Sequence, residues 1–415
     1  MAPRASRPRA HFTAETGWIN DPHGMTVVDG RYHLFFQHVP GSVEWAPNCH
    51  WGHAVSDDLV SWETLPIALA PGEGDDGVWS GSVSVDDNGD ALLFYTSVQV
   101  PDFSIGTVRV ARPLDPSWER WDKGEVVVEL PESLDAVAFR DPFVLRDGEG
   151  WRMLVWTSLR DGTAAAASFS SADRLEWSYD GLAAERPGTE TDPVWTGSLW
   201  ECPQVFEIDG KHVLVTSIWE DDVLHYVAYA AGEYRDGRFI AGQWRRLTYG
   251  DSYYAPSFFR DRDGEPALIF WLRGAVDEES GWASAHSIPH RLTLEGDRLI
   301  TQPHPTVLSR IQTLEKSAEG RGPELLTWDP ADGDVHISSE SRSLILRKCE
   351  EGVEVIEGAE RTLLPGVGQQ SATLLVDGPV LEVFFGGLSY AIGARADLTV
   401  RFEEVARSEA STAAR

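Results

Sequence analysis

One hairpin pattern occurs five times within the first 300 residues of this 415-residue chain. Each copy has an apolar strand, a turn containing Asp or Asn with Gly, and a second strand rich in Leu, Val and aromatic residues. Asp-Gly and Asn-Gly suit tight hairpins because such turns need positive φ angles. The copies span Met25–Gln37, Val83–Ser97, Phe143–Ser158, Val205–Ser217 and Phe258–Leu272.

The spacing of these hairpins constrains the fold more than any other feature. The copies begin 53 to 62 residues apart, and further short strands lie between them. A repeat of this length with about four strands is typical of a β-propeller blade. We therefore predict an all-β protein with a five-bladed β-propeller at residues 10–302. The alternative is an ordinary two-sheet β-protein whose hairpins are similar by accident.

A second region of short strands follows the propeller repeats. Its segment Leu381-Glu-Val-Phe-Phe385 alternates in the way expected of a strand that is half-buried against another sheet. We predict a small C-terminal β-sandwich at residues 306–405. Its expected strands are Asp334–Ser338, Ser343–Arg347, Gly352–Val355, Ala372–Val376, Val380–Phe385 and Leu398–Phe402.

Composition argues against several classes of partner and compartment. The chain has 35 basic and 66 acidic residues and a net charge of −31, so repulsion predicts no nucleic-acid partner and no membrane partner. No apolar run approaches 18 residues, and the basic N-terminus lacks an apolar signal segment, which together predict a cytoplasmic protein. The three cysteines form no CxxC pair, so neither a disulfide framework nor a zinc knuckle is indicated.

Three carboxylates occupy equivalent positions just before three of the hairpins. They are Asp21, Asp141 and Glu201, and aromatic residues such as Trp18 and Trp200 stand close before them. Propeller blades surround a central channel, so we expect these strand starts to meet at one mouth. Each acid alone is compatible with a turn or a solvated loop, whereas their shared position in the repeat favours a common site.

Paired carboxylates in a pocket with aromatic walls suggest glycoside hydrolysis. Apolar neighbours raise or split carboxyl pKa values, which lets two acids take different roles at neutral pH. One acid attacks the anomeric carbon, while the other protonates the leaving oxygen and then activates water. The 17 tryptophans also favour a site lined by aromatic rings.

These segments resemble glycoside hydrolase family 32, the β-fructofuranosidases. Trp18-Ile-Asn-Asp-Pro-His-Gly24 is similar to the family's W-M-N-D-P-N-G signature. Phe139-Arg-Asp-Pro142 is similar to its R-D-P motif, and Trp200-Glu-Cys-Pro203 to its E-C-P motif. Further similar segments, among them Trp79–Ser82 and Tyr253–Pro256, extend the resemblance over nearly the whole chain.

The resemblance implies a retaining mechanism through a fructosyl-enzyme. Asp21 would be the nucleophile and Glu201 the acid/base, while Asp141 with Arg140 would hold fructose hydroxyls and stabilise the transition state. No metal ion and no organic cofactor are implied. The expected substrate-binding residues are Trp18, Asn20, Gln37, Trp45, Trp79, Ser80, Arg140 and Trp271.

We therefore expect a β-fructofuranosidase that hydrolyses sucrose or short fructo-oligosaccharides, acting as a monomer or a homodimer. A fructosyltransferase, a levan- or inulin-degrading fructanase, a propeller pentosidase and a non-catalytic fructan-binding module are the alternatives. Retention of both Asp21 and Glu201 argues against the binding module, since binding alone needs no such pair. No phosphate-binding basic cluster is obvious, which favours unphosphorylated substrates.

Several residues depart from the family pattern or need a separate interpretation. His23 stands where the signature has Asn, and we expect it to alter the hydrogen bonds offered to an acceptor. Gln204 stands where many members have Asp. His50 and His53 are compatible with a metal pair, although packing is favoured, and Cys202 is expected only to pack.

Overall fold

The computed structural model describes residues 5–317, 322–366 and 371–403, which form thirty-one strands and one α-helix. The predicted end of the second domain, residue 405, lies outside the described residues. The first sixteen strands are β1 (Gly17–Val28), β2 (Arg31–Val39), β3 (His50–Ser56), β4 (Trp62–Leu69), β5 (Gly77–Val85), β6 (Ala91–Val98), β7 (Thr107–Pro113), β8 (Trp121–Val128), β9 (Ala136–Asp147), β10 (Gly150–Leu159), β11 (Thr163–Ser171), β12 (Ser178–Pro187), β13 (Leu199–Ile208), β14 (Lys211–Glu220), β15 (Val223–Arg235) and β16 (Arg238–Arg246).

The remaining elements include the helix and the strands that follow it. They are β17 (Thr248–Gly250), β18 (Tyr253–Arg260), β19 (Pro266–Asp277), β20 (Trp282–His286), β21 (His290–Glu295), β22 (Arg298–Pro303), α1 (Pro305–Ser317), β23 (Glu324–Trp328), β24 (Val335–Ser338), β25 (Ser343–Cys349), β26 (Gly352–Glu357), β27 (Glu360–Pro365), β28 (Ala372–Asp377), β29 (Val380–Phe385), β30 (Leu388–Gly393) and β31 (Thr399–Phe402). The all-β prediction is confirmed, and α1 is the one helix in the described ranges, which the sequence analysis did not predict.

All five predicted hairpins are antiparallel strand pairs. They are β1–β2, β5–β6, β9–β10, β13–β14 and β18–β19. Their turns use the expected residues: Asp29 and Gly30 have φ angles of 48° and 78°, and Asp209 and Gly210 have 51° and 77°. Asp and Gly tolerate this left-handed region better than most residues, so the turn chemistry predicted the hairpins correctly.

Strand pairing in the first region does not give five separate sheets. Strands β5–β8, β9–β12 and β13–β16 form three four-stranded sheets. Strands β1–β4 and β18–β22 instead form one nine-stranded sheet, because β1 pairs in parallel with β20 at Gly17–Trp282 and Trp18–Ala283. The strand pairing therefore does not confirm the predicted number of five blades.

Apolar clusters join the hairpin units in chain order and also join the last unit to the first. The side chains alternate along each strand, so each sheet has one face for the preceding unit and one for the next. Each of the five clusters contains side chains from two neighbouring units. One pair from each cluster is Trp51 with Tyr95, Phe94 with Met153, Trp156 with Leu214, Val213 with Phe270, and Ile269 with Phe36.

Two five-stranded sheets form the C-terminal region and share one apolar core. Their strand orders are β17-β30-β29-β28-β23 and β27-β26-β25-β24-β31. Leu346, Val355, Leu374 and Val383 are buried between them. All six strands predicted here are present, and the sequence analysis missed β23, β27 and β30. Strand β17 precedes β18 in the chain yet pairs with β30, so the two regions share a sheet.

Candidate active site

The first strand of every hairpin is interrupted at the same point of the repeat. The ladder shifts register between Ile19 and Pro22, Trp79 and Gly81, Arg140 and Phe143, Glu201 and Gln204, and Tyr254 and Ser257. Such irregularities bend a strand and re-aim its side chains, and they concentrate next to active sites. The residues inside three of the interruptions, Asp141, Cys202 and Ala255, have φ angles of 58°, 45° and 44°.

All eleven predicted site residues line one cavity of about 720 Å³. This volume lies within the usual range for small-molecule sites, about 300–1,000 Å³. The three predicted catalytic acids come from β1, β9 and β13, as the repeat spacing required. The predicted residues are Trp18, Asn20, Asp21, Gln37, Trp45, Trp79, Ser80, Arg140, Asp141, Glu201 and Trp271.

Neutral donors surround the carboxylate of Asp21. Ser80 Oγ donates to Oδ2 over 2.6 Å, and Asn20 Nδ2 donates to Oδ1 over 3.0 Å. Gln37 holds both donors, because its Oε1 accepts from Asn20 Nδ2 and its Nε2 donates to Ser80 Oγ, each over 2.9 Å. Burial raises the pKa of Asp21 and the charge of Glu201 adds to this, whereas the hydrogen bonds from Ser80 and Asn20 oppose it.

Asp141 is the more deeply buried of the two aspartates. Its backbone N–H donates to Thr96 Oγ1 over 2.8 Å, and its Oδ2 accepts from the backbone N–H of Cys202 over 3.0 Å. Burial raises the pKa of Asp141 to about 7, although the adjacent Arg140 guanidinium opposes the shift. Asp141 is therefore fixed by two neighbouring strands and can hold a polar ligand group at the cavity floor.

Glu201 has a different environment from Asp21. Arg140 Nη2 donates to its Oε1 over 2.7 Å, and the Tyr254 hydroxyl donates to its Oε2 over 2.7 Å. Burial and the charge of Glu201 raise the pKa of Tyr254 well above its ordinary value, so that hydroxyl keeps its proton. The two acids thus differ in their partners, as acids with different roles should.

Sequence reasoning missed two contacts at the cavity floor. Cys202 was expected only to pack, but its Sγ lies 3.2 Å from Asp21 Oδ2 and donates to it. Burial raises the pKa of this thiol well above its ordinary value, so it remains protonated. Tyr254 lay in a segment similar to the family but was not named as a site residue. Tyr254 occupies the position in the fifth hairpin that is equivalent to the positions of the acids, and this equivalence could have identified it.

Aromatic side chains line the outer part of the cavity. Trp45 is 48% exposed and meets Trp79 edge to face, with ring centroids 5.9 Å apart. Trp79 in turn stacks on Phe103 at 6.1 Å with an interplanar angle of 16°. Stacked apolar faces of this kind suit the C–H faces of sugar rings. Phe103 was not predicted, because it lies outside both the repeated hairpins and the segments that resemble the family.

The departures from the family pattern have structural outcomes. His23 does not line the large cavity; its ring is buried and packs against Trp51, with ring centroids 3.9 Å apart and an interplanar angle of 38°. Its effect on the hydrogen bonds of an acceptor stays a prediction. Gln204 Oε1 accepts from the backbone N–H of Phe258 over 2.6 Å and thereby links two hairpin units. His53 packs on Phe35 at 4.1 Å, in agreement with the favoured interpretation.

The family model "Glycosyl hydrolases family 32 N-terminal domain" matches residues 11–303. The chain belongs to glycosyl hydrolase family 32. It is 28% identical to a sucrose-6-phosphate hydrolase of Escherichia coli over 91% of this chain and 86% of that protein. It is 31% identical to a β-fructofuranosidase, insoluble isoenzyme 7, of Oryza sativa over 77% of this chain and 58% of that protein.

Solved structures of the family have the same fold. A family 32 β-fructofuranosidase of Bombyx mori is 24% identical with a TM-score of 0.80, covering 96% of this chain and 91% of that one. A mutant of that enzyme in complex with sucrose is 25% identical with a TM-score of 0.79, covering 96% and 94%. The chain is therefore a glycoside hydrolase. The described residues include no helix long and apolar enough to cross a membrane.

Proposed function

We propose that this family 32 member is a retaining β-fructofuranosidase that releases fructose from sucrose or short fructo-oligosaccharides. The observation that carries the proposal is the pair of differently held carboxylates on one cavity, Asp21 among neutral donors and Glu201 between Arg140 and Tyr254. Retaining glycosidases need one acid as a nucleophile and another that first donates and then accepts a proton.

The three acids take different roles in this mechanism. Ser80, Asn20 and Cys202 donate to Asp21 and stabilise the ionised form that attacks the anomeric carbon. Glu201 protonates the leaving oxygen and afterwards takes a proton from water, so the fructosyl-enzyme is formed and then hydrolysed. Asp141 binds fructose hydroxyls through charge-assisted hydrogen bonds that strengthen in the transition state.

We also propose that residues 10–302 form five propeller blades and residues 306–405 a sandwich domain. The five hairpins, their five equivalent register shifts and the circular order of the apolar clusters support five blades. In this interpretation the nine-stranded sheet contains two blades joined through the parallel pairing of β1 with β20. This pairing would close the propeller and fix its first unit against its last.

The charge of the cavity favours an unphosphorylated substrate. Four acids line it, the three catalytic candidates and the exposed Asp222, against two arginines. Arg140 is paired with Glu201, and Arg273 donates to the backbone carbonyls of Leu224 and His225 over 2.9 and 3.2 Å. A phosphate on the substrate would therefore meet net negative charge.

Two substitutions and their matched controls test the assigned roles. Glu201→Gln should lower kcat on sucrose by about 10²–10⁴-fold, with a smaller loss on substrates that have good leaving groups. Asp21→Asn should nearly abolish turnover while sucrose still binds. The controls are Glu207→Gln, exposed on the same strand as Glu201, and Asp29→Asn in the β1–β2 turn. Near-normal turnover by either active-site variant would contradict the assignment.

Product and substrate analysis completes the test. NMR of the first-formed fructose should show the β-anomer, as retention requires. The kcat/KM for sucrose should exceed that for sucrose 6-phosphate, and the reverse order would overturn the proposed preference. Concentrated sucrose should yield mainly free fructose, whereas mainly oligosaccharides would identify the chain as a fructosyltransferase. Failure to hydrolyse either sucrose or its phosphate would reject the proposed function itself.

A further inference from the structure

A second cavity, of about 280 Å³, has an unusual charge for this chain. It lies at the seam where β17 pairs with β30 of the C-terminal sheet. No carboxylate is among its lining residues, although the chain carries 66 acids against 35 basic residues. The lining consists of Tyr229, Arg245, Arg246, Tyr249, Arg298, Pro365 and Leu388, which we call the arginine cleft.

Arg246 is held in place by groups that leave its charge uncompensated. Its Nε donates to the Thr248 carbonyl over 2.7 Å, and its guanidinium lies over the rings of Tyr226 and Tyr249 at 4.4 and 4.7 Å. Burial lowers the pKa of Arg246, since only the two tyrosines oppose this effect. Aromatic faces attract a cation but do not saturate the outward N–H donors of a guanidinium.

The other two arginines are similarly unpaired. Arg245 donates one Nη2 bond to Gln243 Oε1 over 2.7 Å, while its buried Nε has no partner. Arg298 donates to the backbone carbonyl of Gly386. Within the part of the chain that the structure describes, no carboxylate forms an ion pair with Arg245, Arg246 or Arg298. Asp297 lies within electrostatic range of Arg245, but its carboxylate is paired with Lys211 Nζ over 2.7 Å.

Three unpaired cations on one small cavity carry a free-energy cost that a bound anion would remove. A partly buried charge is unfavourable unless a counter-charge or sufficient hydrogen bonds compensate it. Guanidinium groups match phosphate oxygens with parallel N–H···O bonds, which makes arginine the preferred residue for phosphate recognition. Tyr229, Tyr249 and Leu388 supply an apolar surface beside these donors.

We propose that the arginine cleft is a binding site for a small phosphate monoester of the size of a hexose phosphate. The arginines bind the phosphate, and the tyrosines with Leu388 pack against the sugar ring. Because the cleft takes residues from β15–β17 and β22 of the first region and from β27 and β30 of the C-terminal region, the ligand bridges both. This inference is independent of the proposed fructofuranosidase activity.

The first experiment measures binding to the full chain by isothermal titration calorimetry and thermal unfolding. The probes are fructose 6-phosphate, inorganic phosphate and fructose, with sodium chloride at matched ionic strength. We expect fructose 6-phosphate to bind at millimolar concentration or below and to raise the Tm, because it binds only the folded state. Inorganic phosphate should bind more weakly, and fructose alone should not occupy this cleft. An equal Tm rise with sodium chloride would overturn the proposal.

The second experiment uses Arg245→Gln and Arg246→Gln, with Arg238→Gln as the matched control on β16. Arg238 is exposed and is not among the cleft residues. Each cleft variant should weaken binding at least about tenfold, since one charge-assisted hydrogen bond contributes that much, while the control should not. Without ligand Arg245→Gln should keep the wild-type Tm or exceed it, because an unpaired charge is removed. Arg246→Gln also loses the contacts with Thr248, Tyr226 and Tyr249, so its Tm is compared only with and without ligand.

The cleft variants also separate this site from the active site. Their sucrose turnover should equal that of the wild type, since no residue of the arginine cleft lines the large cavity. If both cleft variants bound fructose 6-phosphate with wild-type affinity, the ligand would bind elsewhere and the proposal would be rejected. Absence of phosphate-ester binding by the folded wild type would reject it as well.

Discussion

Glu382 is the centre of a buried polar network that connects the two regions of the chain, and its replacement is our principal stability prediction. Its carboxylate lies 2.9 Å from His11 Nε2 and 2.9 Å from His290 Nε2, and it accepts from the Tyr253 hydroxyl over 2.7 Å. The backbone N–H of Ile288 donates to it over 3.2 Å. The Glu382 side chain has no exposed surface. Glu382→Gln removes the charge while preserving the shape.

The expected loss of stability follows from the hydrogen bonds that the variant weakens. Burial alone would lower the pKa of His11, but the hydrogen bonds that its ring donates to Asp377 and Glu382 raise it to about 9, so His11 is charged in the folded protein at neutral pH. Asp377 still pairs with His11 in the variant, so the loss comes from the hydrogen bonds of the Glu382 carboxylate with His11 and His290. A hydrogen bond to a charged group contributes about 1.5–3 kcal/mol, and weakening two of them costs about 3–5 kcal/mol. An unfolding entropy of about 2.1 cal/mol/K per residue then gives a Tm decrease of about 3–6 °C for cooperative unfolding of the whole chain.

Differential scanning calorimetry at pH 6 measures this effect, with Glu324→Gln as the control. Glu324 is an exposed residue of β23 in the same sheet as Glu382, so its variant should keep the wild-type Tm. If the Tm of Glu382→Gln stayed within about 1 °C of the control, the network would not stabilise the fold in the way argued.

The same network predicts a pH dependence whose sign can be derived. The folded pKa of His11 is above its ordinary 6.5, so its stabilisation is complete below pH 6.5 and is lost as the pH rises to about 9. Burial would raise the pKa of Glu382, but hydrogen bonds with His11 and His290 lower it to about 2. Its stabilisation is therefore complete above about 4.5 and is lost as the pH falls toward 2. The Tm difference between wild type and Glu382→Gln should be larger at pH 6 than at pH 10.

Two further substitutions in β5 test the hydrogen bonding of Asp21 and the packing of this strand. Ser80→Ala removes the 2.6 Å hydrogen bond that lowers the pKa of Asp21. The acidic limb of the pH profile of kcat/KM should therefore move to higher pH. The control Ser82→Ala, two residues further along the strand, should leave that limb unchanged. A limb that did not move would mean that Asp21 does not control the acidic side of the profile. Gly81→Ala would bring a Cβ within 1.9 Å of the Phe94 carbonyl oxygen, so soluble expression or Tm should fall sharply. Wild-type expression and Tm would refute the tight packing of this strand.

The repeat made much of the site predictable before any coordinates. Turn residues and strand alternation are local signals, so the five hairpins followed from the sequence, and equal repeat position grouped Asp21, Asp141 and Glu201. Resemblance to the family supplied the remaining predicted cavity residues. Tyr254 was missed although it shares that position, because a tyrosine did not fit the expected acid pattern.

Other features had no local signal. Helix α1 was not predicted, and neither was the packing of the buried His23 ring against Trp51. The contact between Cys202 Sγ and Asp21 joins residues 181 positions apart, and no pattern within either strand encodes it. Such contacts depend on how neighbouring units approach one another, which is decided by packing over the whole structure.

The sequence by itself determined the hairpins, their order and the three acids, because strand alternation and turn chemistry act over a few residues. Only the tertiary structure decided which partners each acid has, where Glu382 meets His11, and that Arg245, Arg246 and Arg298 share one cleft without carboxylates. These juxtapositions join residues tens to hundreds of positions apart. Their energies depend on burial and on distances between side chains, and both exist only once the sheets have packed.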